Sequence, residues 1–133
     1  MMKVYGDIYS GNCYKIKLLM ALLGIEHEWV AVEIIAGETH AEEFKAINPN
    51  SGIPVLEIDN EPFLCESNAI RNYPAEGSEL LPQDRYARAQ VLQRLFFEQE
   101  GGDKAVGIRE QRLTDLDWLV GNNMTIADFT LYG

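Results

Sequence analysis

The chain is poor in cysteine, histidine and positive charge, and it has no long apolar run. Two cysteines, Cys13 and Cys65, do not make a disulfide framework, and nothing around them suggests secretion. Two histidines, His27 and His40, stand alone in sequence. No Cys/His cluster therefore has metal-ligand spacing, and no metal is expected. Lysine and arginine number 11 against 21 aspartates and glutamates, a net charge of -10. Phosphate repels such a surface, which argues against a nucleic-acid partner. The acidic excess is spread along the chain and reads as a solvated face. No apolar stretch approaches the ~20 residues of a membrane helix, so no membrane partner is expected. The opening Met1-Met2-Lys3-Val4-Tyr5 lacks the apolar core of a signal peptide and runs straight into strand-like sequence. A soluble cytoplasmic protein is expected.

What is present reads as alternating strands and helices. The 133 residues fit one domain, or one compact domain with a fragment of another. Met2 to Tyr9 has strand spacing. Ser10-Gly11-Asn12 is turn chemistry, with Asn12 as the expected N-cap. Ile16, Leu19, Met20 and Leu23 then mark one face of a helix that Gly24 stops. Glu28 to Ile35 reads as a second strand and Thr39 to Ile47 as a second helix. After the breaker cluster Asn48 to Gly52, Ile53 to Ile58 and Glu61 to Cys65 flank Asp59-Asn60 as a hairpin. Glu66 to Tyr73 is helical, and Pro74 predicts an end or kink near Tyr73. The order βαβαββα implies a mixed four-stranded sheet with helices on its faces.

Gly77 to Pro82 reads as a linker. Beyond it, Tyr86, Ala89, Leu92, Leu95 and Phe96 line a helix from Asp84 to Gln99. Glu100-Gly101-Gly102-Asp103 is expected to break it, with a further helix from Ala105 to Leu113. Thr125-Ile126-Ala127-Asp128 resembles a capping box with aspartate at its fourth position.

Four local features carry chemistry, and each alone reads first as ordinary local structure. The Ser10 hydroxyl beside a helix N-terminus is a capping turn, or a donor to a bound thiolate. Ile53-Pro54 opens a strand. A cis bond there would leave the Ile53 backbone N–H and C=O free for a ligand. Glu66-Ser67 at a helix start is a cap, or a seat for the ammonium and carboxylate of a free α-amino acid. His40 before the second helix is an exposed histidine, or a ligand contact. Cys13 stands at the spacing of a redox pair whose first cysteine is Ser10, which excludes a dithiol cycle. It is a buried thiol or a monothiol accessory, with Asn12 beside it.

Taken together, Ser10-Gly11-Asn12-Cys13-Tyr14-Lys15, Asn48-Pro49, Gly52-Ile53-Pro54-Val55-Leu56 and Leu64-Cys65-Glu66-Ser67-Asn68-Ala69-Ile70 resemble the N-terminal domain of bacterial glutathione S-transferases, of the serine-type, theta-like kind. Leu119-Val120-Gly121 and the capping box resemble that family's second-domain motif. The resemblance implies a thioredoxin-like glutathione-binding domain over residues 1–77 and a partial all-helical C-terminal domain over 83–133. In the family, several more helices lie between the long helix and the Trp118 region. Here Glu100 to Arg112 stands in that span, and the second domain is expected to be incomplete.

The resemblance also implies roles. Ser10 is the catalytic serine that hydrogen-bonds the glutathione sulfur. Ile53, before a cis Pro54, pairs by backbone with the cysteinyl unit. Glu66 and Ser67 hold the γ-glutamyl group, and His40 lies near the glycine end. Gly52 occupies the place of a lysine common in relatives, which leaves the glycine carboxylate to His40 or Lys45. Glutathione is then the co-substrate, an electrophilic apolar small molecule the acceptor, and a homodimer the assembly. A free thiol has a pKa of ~8.5. Lowering it by about two units favours the thiolate by roughly 2.7 kcal/mol. A non-catalytic glutathione-binding module and a glutathione-dependent peroxidase or reductase are the alternatives.

Overall fold

Val4 and Gly6 alternate inward along the first strand, β1 (Met2–Gly6), while Lys3 and Tyr5 take the other face. The computed structural model describes residues 1–114 and 116–132, and their side chains outside 100–112 and 130–132. α1 (Gly11–Leu23) carries the chain back to β2 (His27–Ala31), which pairs parallel to β1 with Val4 opposite Trp29. A parallel pair needs such a crossover. A 3₁₀ turn (Glu38–His40) and α2 (Glu42–Ile47) come next. β3 (Val55–Glu57) runs antiparallel to β1, and β4 (Leu64–Cys65) antiparallel to β3. The strand order is β2-β1-β3-β4, a mixed four-stranded sheet. It closes with α3 (Ser67–Ala75).

Both faces of the sheet are covered. Val4, Ile16, Met20, Leu56 and Ile70 form one buried cluster, so α1 and α3 share a face. Val32, Phe44 and Val55 form the other, under α2. Each such side chain contributes about 1.5–3 kcal/mol by leaving water. This is the thioredoxin-like α/β architecture that the sequence predicts.

Several boundaries differ from expectation, each for a local reason. β1 ends at Gly6 and not at Tyr9, because the Asp7 carboxylate accepts from the Tyr9 N–H (2.9 Å) and bends the chain into a turn. β2 ends at Ala31 and not at Ile35. The chain turns instead, with the Gly37 N–H donating to the Ile34 carbonyl (2.9 Å) and Gly37 at φ 78°. The expected helix from Thr39 splits at Ala41, whose backbone is extended. Asp59-Asn60 does turn, with Asn60 at φ 64° and the Glu61 N–H on the Ile58 carbonyl (3.0 Å). Strand pairing resumes only at Leu64, beyond Pro62, which has no N–H to offer a ladder. α3 runs past Tyr73 and through Pro74 to Ala75. The helix stops one residue beyond the proline, whose ring and missing N–H do not support a further turn.

Residues 1–74 and 75–132 are separate compact units. In the second, the Asp84 carboxylate caps α4 (Arg85–Leu113) by accepting from the Ala87 N–H (2.8 Å). α4 is continuous through Gly101-Gly102, against the expected break. Each glycine costs about 1 kcal/mol in a helix interior. Helix-favouring stretches on either side carry the hydrogen-bond ladder across them. Leu81, Val91, Leu95, Leu119, Val120, Ile126, Ala127 and Phe129 are buried and make this unit's core. The capping box is formed: the Asp128 carboxylate accepts from the N–H groups of Thr125 (2.8 Å) and Leu119 (2.9 Å). The segment it caps, Ile126–Tyr132, is a 3₁₀ helix. Among the described residues, no helix is long and apolar enough to cross a membrane.

Candidate functional site

Strand register alone brings the flagged residues of the first unit to one end of the sheet. β1 leaves the sheet just before Ser10. β3 enters it just after Ile53-Pro54, since Val55 pairs with Tyr5. Val55 also pairs with Cys65, so β4 ends there and leads into Glu66-Ser67. β2 runs parallel to β1, so the segment carrying His40 starts from the same end.

Ser10 is half-buried and is the N-cap of α1. This corrects the assignment to Asn12, which lies inside the first turn, is exposed, and accepts from Lys15 Nζ (3.3 Å). Ser10 sits in extended backbone at φ -83°, ψ 122°, and its Oγ accepts weakly from the Cys13 N–H (3.4 Å). Accepting uses a lone pair and leaves the hydroxyl proton to donate. Cys13 itself is fully buried. Burial pushes its thiol up, against smaller opposing effects of the Ser10 hydroxyl and the Asp7 backbone. A thiol so placed is a poor nucleophile.

The Ile53–Pro54 peptide is cis. Ahead of it, buried Asn48 ties the loop: its Nδ2 donates to the Gly52 carbonyl (2.9 Å) and its Oδ1 accepts from the Asn50 N–H (3.1 Å). Among the described residues, no partner takes the Ile53 N–H or C=O. Those groups are available to an extended peptide, which would add to the sheet edge as a strand does.

Glu66 is exposed and stands at φ 72°, the left-handed region that is costly for any residue with a Cβ. Its carbonyl accepts the Ile70 N–H (2.9 Å), so it caps α3 while its side chain turns outward. Ser67 is buried at the first position of that helix, where N–H groups are unspent. An exposed carboxylate beside a helix N-terminus is suited to an amino acid's ammonium and carboxylate together. His40 is exposed at the end of the 3₁₀ turn. Lys45 pairs with Glu42 (3.2 Å) on the surface of α2. Among the described residues, no group of three or more His, Cys, Asp or Glu is placed to hold a metal ion.

Two residues that organise this end have no role assigned from sequence: Asp7, and Asn48, which enters there only in the breaker cluster and in the resemblance. Asp7 accepts through both carboxylate oxygens, from Tyr9 and from Ile34 (3.2 Å). An aspartate at a strand end and an Asn-Pro-Asn cluster are the signals that mark them, and both are signals of turns in general.

Residues 1–76 match the family model of the glutathione S-transferase N-terminal domain. The structure is similar to that of a glutathione S-transferase from Pseudomonas fluorescens, with a TM-score of 0.93 and 42% identity, over 98% of this chain and 81% of that one. In sequence it is 31% identical to glutathione S-transferase Z1 of Arabidopsis thaliana over 91 residues, 66% of this chain and 41% of the relative. It is also 31% identical to glutathione S-transferase D7 of Anopheles gambiae, over 92% of this chain and 69% of the relative. The chain thus spans less than half the length of the Arabidopsis protein. The mosquito alignment is 152 positions long, so that relative holds segments within it that this chain lacks.

Proposed function

Because the chain belongs to the glutathione S-transferase family, matching its N-terminal domain over residues 1–76, we propose that it conjugates the glutathione thiolate to electrophilic, mostly apolar small molecules. The observation that carries this reading is the convergence of Ser10, Ile53-Pro54 and Glu66-Ser67 at one end of the sheet. In this reading the Ser10 hydroxyl donates to the sulfur, and the N-terminus of α1 adds its dipole. The backbone of Ile53 before Pro54 pairs with the cysteinyl unit. Glu66 takes the γ-glutamyl ammonium and Ser67 its carboxylate. His40 meets the glycine end. Asn12 and Cys13 are accessory, Cys13 by packing beneath Ser10. Residues 1–77 form the glutathione domain and 83–133 a partial all-helical domain. A cytoplasmic homodimer acting in detoxification completes the reading, on the strength of the family.

With an aryl halide as acceptor, the thiol proton goes to solvent. The sulfur lone pair forms a carbon–sulfur bond, and halide leaves with the electrons of the carbon–halogen bond. Ser10→Ala is expected to lower kcat by ~10²-fold or more, as loss of one donor to a developing or bound anion does. KM for glutathione is expected to change little. A Ser10→Ala variant at full rate would refute the assigned role.

A glutathione-binding module without turnover is the second reading, favoured by the segments that the mosquito relative has and this chain lacks. It predicts thermal stabilisation by glutathione with no conjugation. Turnover of peroxides but not of aryl halides would instead mark a glutathione-dependent peroxidase.

A further inference from the structure

We propose that Asp7 is the positioning residue of the Ser10 site, a strut whose carboxylate joins the loop before Ser10 to the segment after β2 and so sets where the Ser10 hydroxyl points. The proposal rests on the transferase reading above. Asp7 is the first residue beyond β1. Three of its oxygens accept. Its carbonyl takes the Ser10 N–H (3.1 Å), Oδ1 takes the Tyr9 N–H (2.9 Å), and Oδ2 takes the Ile34 N–H (3.2 Å). The first two bonds shape the turn into α1. The third reaches across 27 positions of sequence to the segment after β2, beside the bond by which the Val32 N–H donates to the Gly6 carbonyl (3.0 Å). A cavity of about 390 Å³ opens between the two joined segments, with Asp7, Tyr9, Val32 and Ile35 in its wall.

The chemistry of the position favours a carboxylate. Two N–H groups need two acceptor oxygens on one short side chain. Asparagine offers one such oxygen and presents its own N–H groups to the other donor. Electrostatics alone argues against a carboxylate here. Burial is what chiefly pushes the neighbouring Cys13 thiol up, the Asp7 charge adding least, and that charge opposes any anion formed at Ser10. A negative group beside a site built for a thiolate is explained by its geometry, with its charge spent on the two N–H groups.

The test uses the full chain with Asp7→Ala and Asp7→Asn, the second in case the first folds poorly. Amide exchange reads the strut directly. The Tyr9 and Ile34 amides are expected to exchange about tenfold faster in Asp7→Ala, with the amides of the β1–β2 ladder unchanged. Ultraviolet absorbance of the bound glutathione thiolate reads the positioning. Losing the Asp7 charge would by itself move its titration down, so a move up, expected at about one unit and a tenfold loss of thiolate preference, reads the lost positioning, with KM for glutathione within about twofold of wild type. Unchanged exchange at Tyr9 and Ile34 overturns the strut. Faster exchange with an unmoved or lowered thiol titration overturns the positioning of Ser10 and leaves Asp7 a purely structural residue. A wild-type protein that binds no glutathione overturns the transferase reading itself, and the proposal with it.

Discussion

Gly6 shows how closely this sheet end is packed. A Cβ built there would meet the Trp29 ring at 2.9 Å and Cys13 Sγ at 3.0 Å, so only glycine lets β1, β2 and α1 converge beneath the Ser10 turn. The same crowding decides the chemistry of the two thiols. Cys13 is fully buried, and burial raises its pKa. Cys65 is half-buried at the end of β4, and burial and then the Glu66 carboxylate raise its pKa. Both ionise less readily than an ordinary thiol, but only Cys65 is within reach of a reagent, which traps its small thiolate fraction slowly. Native protein at mildly alkaline pH is therefore expected to take up one equivalent of iodoacetamide, on Cys65, and a second only after denaturation. Mass spectrometry of the digested protein reads the site. Native labelling of Cys13 would show that the Ser10 turn opens readily, and would revive an accessory role for this thiol.

At the scale of elements, a cross-strand trio ties β1 to β3. Lys3 lies opposite Glu57 and donates to it (3.1 Å), while Tyr5, two residues on, donates diagonally to the same carboxylate (2.5 Å). The Tyr5 hydroxyl, then Lys3, hold the Glu57 carboxyl below its usual value of 4.5. The Glu57 bond, then burial, raises Tyr5 above its usual 10.0. A folded pKa below the unfolded one contributes stability that is present above the unfolded value and lost as pH falls through the folded one. A raised Tyr5 does the reverse, contributing below about pH 10 and losing that contribution as pH rises through its folded value. Glu57→Gln is thus expected to make melting temperature less dependent on pH below about 4.5, and to lessen its fall above about 10. Equal slopes in variant and wild type would show that the trio adds nothing to stability. Little of this trio was legible beforehand, because it depends on register. The order of elements was legible, since hydrophobic period and breakers encode it. So was the placement of Ser10, Ile53-Pro54 and Glu66-Ser67 at junctions between elements, since a capping serine, a proline and a glutamate-serine pair mark such junctions. The ends of β1 and β2 were not. They are set by Asp7 and its bonds to Tyr9 and Ile34, and Ile34 is remote in sequence. Continuity of α4 through Gly101-Gly102 is hidden for the opposite reason: the glycines carry a local penalty of about 2 kcal/mol, and long helical flanks outweigh it.

For the whole molecule, the dominant electrostatic fact is a net charge of -10, with acidic residues dispersed along the sequence. Glutathione is also negative overall at neutral pH, so the proposed co-substrate must approach a surface that repels it. The local features that oppose this are short-ranged: the N-termini of α1 and α3, whose influence falls off within a turn. Screening should therefore weaken the long-range repulsion more than the local attraction. The Debye length falls from about 30 Å at 0.01 M to about 8 Å at 0.15 M ionic strength. Across that range the association rate of glutathione is expected to rise by about two- to fivefold, with dissociation nearly constant. Stopped-flow measurement in sodium chloride would read both rates. An association rate that falls with salt would mean that the helix N-termini dominate the field at the site, and that the acidic surface lies too far away to matter.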